Sequence, residues 1–313
     1  MTTAPVIFTI FNRPDTTRQV FETIRAAKPQ KLLVVADGPR VDRPGEAEKC
    51  IATREIIDEV DWDCEVEKNF SETNLGCRVR CASGITWAFT LVDKAIILED
   101  DTLPSTSFFP YCTELLDRYE GDERVTMISG NNFLFGNAAT TDSYYFSRYP
   151  HVWGWATWRR AWAKYDLDMT RWPEMRRRKL FDQYLPTGSE RYFWDSILQY
   201  VYEGNIDTWD YQFVYSMWAN SGLSIAPSRN LVRNIGFSHA DATHTTAESV
   251  YSSLQAEELS LPLAHPSMVL ASSDIDEVEA RLRKLQAGGL PYPLNKYIAS
   301  ALGLLAKRAG RQR

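Results

Sequence analysis

The feature that most constrains this chain is the alternation of short apolar runs with stretches of helical periodicity over residues 6–98. Val6–Ile10, Lys31–Ala36 and Lys94–Leu98 are nearly continuous in aliphatic and aromatic side chains, the pattern of strands covered on both faces. Asp63–Asn69 reads as a weaker strand. Between these runs, Asp15–Ala27, Glu46–Val60 and Gly76–Leu91 read as helices. Parallel neighbours need a long crossover, usually a helix, so strict alternation predicts an α/β fold with a doubly wound, mostly parallel sheet. Such a sheet gathers its ligand-binding residues at the carboxyl ends of its strands.

Glu99-Asp100-Asp101 stands at such an end, directly after Lys94–Leu98. Adjacent carboxylates repel, and a strand tip is a costly place to collect them unless a cation or a hydroxylated ligand balances the charge. We read the triplet as a site for a divalent metal and a sugar nucleotide, against the plainer reading of a solvated acidic turn. Asn12-Arg13-Pro14-Asp15, with Asp15 as helix N-cap, and Asp37-Gly38-Pro39-Arg40 fall at the same edge. No G-x-G-x-x-G or G-x-x-x-x-G-K-[ST] occurs there, which argues against a dinucleotide fold or a P-loop. Arg78 and Arg80 open the third helix after Asn74-Leu75-Gly76. Charge and helix dipole suit one of them to phosphate; otherwise both are surface arginines.

Beyond Asp101 the pattern changes. Ser107–Tyr119 reads as a helix and Val125–Gly130 as a strand, followed by an aromatic stretch from Tyr144 through Trp162. Asp195–Glu203 and Tyr211–Ser221 have helical spacing, while Leu223–Ala226 and Asn230–Ile235 read as short strands. Ala247–Ala271 is poor in periodicity and reads as an extended arm. Leu294–Arg313 is a basic amphipathic helix, of the kind that lies on an anionic membrane surface or docks on the protein body.

With 313 residues and a net charge of -6, the chain can bury a large core and lacks the basic excess of a general nucleic-acid binder. Ten Trp and fifteen Tyr serve as core or as stacking surfaces for sugars. Five cysteines without a zinc-type pair of pairs suggest reduced thiols in a cytoplasmic protein. The start of the chain carries no signal-like segment.

Val6–Thr9 with Asn12-Arg13, then Ala36-Asp37-Gly38, Asn74-Leu75-Gly76 and Ile97-Leu98-Glu99-Asp100-Asp101 together resemble nucleotide-sugar glycosyltransferases of the GT-A fold. The order is similar to N-acetylglucosaminyltransferase I and to bacterial family-2-like transferases of surface polysaccharide synthesis. Trp153-Gly154-Trp155-Ala156-Thr157-Trp158, Trp209-Asp210-Tyr211-Gln212 and Gly236-Phe237 with Asp241-Ala242-Thr243-His244-Thr245 resemble the acceptor half of the bacterial group. The resemblance implies a GT-A, Rossmann-like domain over residues 1–246, divided into a nucleotide-sugar half (1–101) and an α/β acceptor half (102–246). Residues 247–313 would form a C-terminal extension with the basic helix. It also implies that Thr9, Asn12 and Arg13 line nucleoside and phosphate and that Asp37 and Gly38 meet the uracil ring; of the two arginines that charge and dipole suit to phosphate, Arg78 is the choice. Glu99 and Asp100 would reach ribose and sugar hydroxyls, and Asp101 would hold Mn²⁺ or Mg²⁺, with His244 a further ligand or phosphate donor. His239 competes with His244, and Trp153 or Trp155 would shape the sugar pocket unless packed in the core.

An inverting transfer needs a general base. Asp210, among aromatic neighbours at a helix start, is the choice, with Asp195 its rival and an N-cap the plain alternative. The expected activity is metal-dependent transfer from a UDP-sugar to a glycan or lipid-linked acceptor, on the cytoplasmic side and at the membrane surface if the basic helix binds there. A sugar nucleotidyltransferase and a non-catalytic glycan-binding protein are the alternatives.

Overall fold

The computed structural model describes residues 2–286 apart from 138–139, 183, 186 and 238–248. Its parallel half consists of Val6–Ile10 (β1), Pro14–Ala27 (α1), Lys31–Ala36 (β2), Glu46–Glu55 (α2), Glu65–Phe70 (β3), Gly76–Leu91 (α3) and Lys94–Glu99 (β4). Thr102–Pro104 (β5), Phe108–Arg118 (α4), Val125–Ser129 (β6), Tyr144–Ser147 (β7), Trp155–Trp158 (β8) and Arg159–Trp162 (α5) follow. Trp172–Arg177 (α6), Gly188–Tyr202 (α7), Asp210–Ala219 (α8), Leu223–Pro227 (β9), Val232–Asn234 (β10) and Ser273–Gln286 (α9) complete the order. The result is a mixed α/β fold around one eight-stranded sheet in the order β3-β2-β1-β4-β8-β6-β9-β7. Strands β3, β2, β1 and β4 are mutually parallel, whereas β8 runs antiparallel to both β4 and β6.

Alternation of side chains sends each central strand to two cores. Val6, Phe8, Leu32, Val34, Ile96 and Leu98 join α1 and α4 on one face. Ile7, Leu33, Val35, Ala95 and Ile97 join α3, α7 and α8 on the other. Helices therefore cover both faces, and strand order reverses between β1 and β4. That switch point is where a doubly wound sheet opens a ligand crevice.

Both outer strands are protected. Strand β3 carries Glu65, Glu67 and Lys68 along its length, and charge discourages pairing with another chain. Strand β7 is wholly buried because the arm and α9 lie against it. Ser143 N–H donates to Ala264 O at 2.8 Å, Ser272 N–H to Phe146 O at 2.8 Å, and Phe146 pairs with Ala271. Leu259 and Leu263 of the arm enter the main core.

Several local expectations are corrected. Asp15 is not the N-cap of α1: Pro14 starts the helix, its fixed φ and missing N–H suiting that position, and Asp15 contributes charge to the first turn. The second helix gives way after Glu55 to a 3₁₀ turn, Ile56–Glu59. Helix α7 begins at Gly188, earlier than expected, with Thr187 Oγ1 accepting from Glu190 N–H. Thr-x-x-Glu was a visible start signal. Helix α9 had no expected counterpart, although Ile275 and Val278 share one helical face and pack on Leu134, Tyr145 and Ala226. The basic helix 294–313 lies outside the described residues. No described helix is long and apolar enough to cross a membrane.

Candidate active site at the carboxyl edge

The crevice is built first by β1 and β4. Their register sets Thr9 beside Glu99, so the turn after β1 meets the acidic triplet. Asp100 accepts from Phe11 N–H at 3.0 Å. Arg13 Nη1 donates to Asp101 Oδ2 at 2.6 Å and stands 3.8 Å from Asp100 Oδ1. Burial opposes the charge on Arg13, yet the carboxylates of Asp100, Asp101 and Glu99 outweigh it and raise its pKa above the ordinary arginine value. Gly236 closes this corner: a Cβ there would lie 2.3 Å from Asp101 Oδ2 and 3.0 Å from Arg13 Nη1. Only glycine lets that strand end pass.

Two buried polar atoms at the corner make no hydrogen bond among the described residues, Arg13 Nε and Asn12 Oδ1. Asn12 is 2% exposed, and its amide donates to Glu46 Oε1 at 2.9 Å. Glu46 also takes Arg40 N–H at 2.7 Å. Arg40 and Asn12 outweigh the burial that would raise Glu46, so its pKa is lowered. Arg54 Nε, Tyr111 Oη, Trp155 Nε1, Trp194 Nε1 and Gln212 Oε1 elsewhere likewise lack a hydrogen bond among the described residues, so it is the acids beside Arg13 and Asn12 that set this corner apart.

Glu99 is the most perturbed of the acids. Loss of water raises its pKa well above the usual carboxylate range, and Asp101, Cys77, Asp100 and Asp210 add to the effect. Asp210, the smallest of these contributors to Glu99, stands at the start of α8, where its Oδ1 accepts from Thr208 Oγ1 and Tyr211 N–H. Its rival is placed elsewhere: Asp195 is bound bidentately by Arg176 at 2.8 Å on the outer side of α7.

The second strand's contribution differs from expectation. Asp37 accepts from Gly38, Leu75 and Gly76 N–H and from Asn74 Nδ2, at 2.9 to 3.1 Å. Burial still leaves its pKa raised. Those bonds use its lone pairs on the turn ahead of α3, so Asp37 shapes the edge and leaves no free acceptor for a base. Gly38 is pressed against the Thr73 backbone. A groove of about 610 Å³ lies beside them, lined by Arg40, Arg43, Glu48 and Asn74 among others; none of Glu99, Asp100, Asp101 or Asp210 borders it.

The phosphate reading of α3 also changes. Its first N–H groups are occupied by a residue the sequence reading passed over, Asp207, whose carboxylate accepts from Cys77 N–H at 2.9 Å and Arg78 N–H at 3.0 Å. Gly76, at φ +79°, turns the chain against it. The anion favoured by the helix dipole is therefore internal. Arg78 pairs with Asp168 at 2.8 Å, and Arg80 is buried on Ala36 O and the Asn69 side chain. Asp207 had a faint signal, an Asp three positions before Asp210 in a loop. What it caps, 130 residues away in sequence, had none.

Trp155 is likewise corrected from pocket to core. It is 0% exposed, stacked on Trp209 at 5.6 Å and packed on Phe213 at 5.0 Å. Strand β8 begins at Trp155, and Trp153, which lies before it, is only partly buried. His239 and His244 lie outside the described residues.

Asp100 and Asp101 offer hard oxygen donors, the type Mn²⁺ and Mg²⁺ take. Arg13 already holds one oxygen of Asp101, and no group of three or more His, Cys, Asp or Glu side chains among the described residues could hold a metal. A cation held by Asp101 would have to take most of its ligands from outside the described residues.

No family model matches the chain, and no curated protein matches it. Solved structures similar to it include a cytidylyltransferase from Leptospira borgpetersenii, at 11% identity over 66% of this chain and 73% of that one, TM-score 0.32. An inositol-1-phosphate CTP transferase from T. maritima has 8% identity over 72% and 86%, TM-score 0.33. Mouse xyloside xylosyltransferase 1 has 10% identity over 69% and 81%, TM-score 0.33.

Proposed function

We propose that the chain is a nucleotide-sugar enzyme and, as the leading reading, an inverting glycosyltransferase that moves a sugar from a UDP-sugar to a hydroxyl of a glycan or lipid-linked acceptor. The observation that carries this reading is Asp210. A hydroxyl nucleophile must lose a proton as it attacks, and a carboxylate near the acidic triplet can take it. In the proposed roles, Arg13 receives the diphosphate, the groove beside Asp37 has room for the nucleoside, and Glu99 meets sugar hydroxyls. A bound Mn²⁺ or Mg²⁺ on Asp101 would supply positive charge against the leaving diphosphate.

The second reading is a sugar nucleotidyltransferase. Its support is the same edge, since Arg13 and the paired acids suit a nucleoside triphosphate as well as a diphosphate, and the fold serves both readings equally. The two chemistries differ in their nucleophile. A sugar phosphate is already anionic and needs no base, so Asp210 has a role in glycosyl transfer alone.

The test is paired. The protein is titrated with UDP, GDP and CMP with Mn²⁺ and with EDTA, then assayed for UDP release from UDP-sugars and for pyrophosphate release from nucleoside triphosphates with sugar 1-phosphates. Metal-dependent UDP binding with UDP release supports the leading reading. Pyrophosphate release establishes the second, and Asp101→Ala binding UDP as the parent does with Mn²⁺ present would remove the metal assignment.

A further inference from the structure

The acidic corner continues into a group of rings that neither core uses. Ile235 N–H donates to Asp101 O at 2.8 Å, Gly236 backs onto the Asp101 carboxylate, and the next residue, Phe237, meets Trp153 edge-on at 5.4 Å. Trp153 meets Tyr251 at 5.9 Å and Phe133 at 5.2 Å, and Phe133 lies 4.8 Å from Tyr251 and 4.3 Å from His151. These rings belong to none of the apolar core clusters. Phe133, Trp153, Tyr251 and His151 are only partly buried. Strand β8 is antiparallel to β4, with Trp155 opposite Ile97 and Gly154 over Leu98. Trp153 lies just before that paired stretch, across the positive-φ turn at Gly154.

Polar groups fix the cluster from behind. Asn131, fully buried, accepts Trp153 N–H at 3.1 Å. His151 Nε2 bonds Glu279 Oε2 of α9 at 3.1 Å, and with the proton on that nitrogen Nδ1 is the acceptor. Partly exposed aromatic rings beside a few oriented polar groups are the kind of lining that small-molecule sites use. A purely apolar ligand would gain nothing from the acidic corner that Gly236 and Phe237 join to the rings, whereas a sugar presents C–H faces to the rings and hydroxyls to His151 and that corner.

We propose that Phe133, Trp153 and Tyr251, with His151 held by Glu279, bind the pyranose ring of a saccharide, and that this saccharide is the acceptor. Its being an acceptor rests on the transferase reading above; its binding does not. The probe is a panel of methyl α- and β-hexopyranosides, including N-acetylated forms, presented to the full chain with and without UDP and followed by ligand-observed saturation-transfer NMR. At least one glycoside binds the parent, and Trp153→Ala and Tyr251→Ala each weaken it about 3- to 10-fold, while calorimetric UDP binding is unchanged. Trp153→Tyr, which keeps a ring, retains binding and separates platform loss from misfolding. Absence of glycoside binding in the parent, or binding untouched by both alanine substitutions, overturns the platform. Glycoside binding that depends on Trp153 and Tyr251 in a protein with no metal-dependent nucleotide binding overturns the transferase reading and leaves the platform standing.

Discussion

Two clusters of buried charge lie at different places on the sheet, one with its bonds complete and one without. Under α9, Arg148 Nε meets Asp276 at 2.9 Å, Ser147 Oγ donates to Asp276 at 2.6 Å, and Glu279 is shared by His151 and Arg283 at 3.1 and 2.6 Å. Arg283 also lies over the Tyr149 ring at 4.3 Å. At the carboxyl edge, by contrast, Arg13 Nε and Asn12 Oδ1 are buried without bonds among the described residues, and Glu99 sits among other carboxylates with its pKa forced up. Burying charge is costly unless it is paired. The first cluster meets that condition from within the chain and fastens α9. The second fails it, as a surface does when part of its bonding belongs to a substrate.

The comparison breaks or sharpens at four positions. Asp210→Asn should lower transfer by roughly 10²- to 10⁴-fold and leave UDP affinity unchanged by calorimetry; full turnover would dissolve the catalytic reading of the incomplete cluster. Glu279→Ala should cost about 3–5 kcal/mol in urea unfolding, because it strands His151 and Arg283. Burial raises the Glu279 pKa, but His151 and Arg283 outweigh it and the net shift is downward. Its contribution is therefore full above the unfolded value of about 4.3 and is lost as pH falls through the lower folded value. Asp276 titrates with the opposite sign, since burial raises it despite Ser147 and Arg148. Glu279→Gln should accordingly flatten the acid side of the stability profile relative to the parent.

Asp207→Ala should cost about 1–2 kcal/mol, the loss of a charged cap on α3, read as a lowered urea midpoint. Asp195→Asn removes a surface pair whose acid is 43% exposed. Its effect on stability should be roughly 0–1 kcal/mol, with turnover unaltered. Loss of turnover in that variant would return Asp195 to candidacy as the base.

The parallel half was legible because its signals are local. Val6–Ile10, Lys31–Ala36 and Lys94–Glu99 are apolar runs whose burial on both faces follows from composition, and the acids and Asn12-Arg13 fall where such strands end. What the residues do there was less legible. Asp37 looked like a ligand acceptor, yet its oxygens belong to the turn at Asn74-Leu75-Gly76. The opening of α3 looked like a phosphate site, yet Asp207 reaches it from the far half of the chain. Helix α9 had an apolar face to show, Ile275 and Val278, but what fastens it, Asp276 and Glu279 buried by pairing with residues far away in sequence, had no local signal.

By itself the sequence determined the alternation of strand and helix, the edge at which charge would gather, and the identity of the acids, because each depends on neighbours within a few residues. The tertiary structure decided which charges are satisfied. It turned Trp155 inward and left Trp153 only partly buried, set Asp210 near Glu99 and Asp195 on the outside, and closed Arg13 onto Asp101 behind Gly236. Those outcomes depend on which side chains meet across distant segments, and pairing, not residue type, separates a structural charge from one left for a substrate.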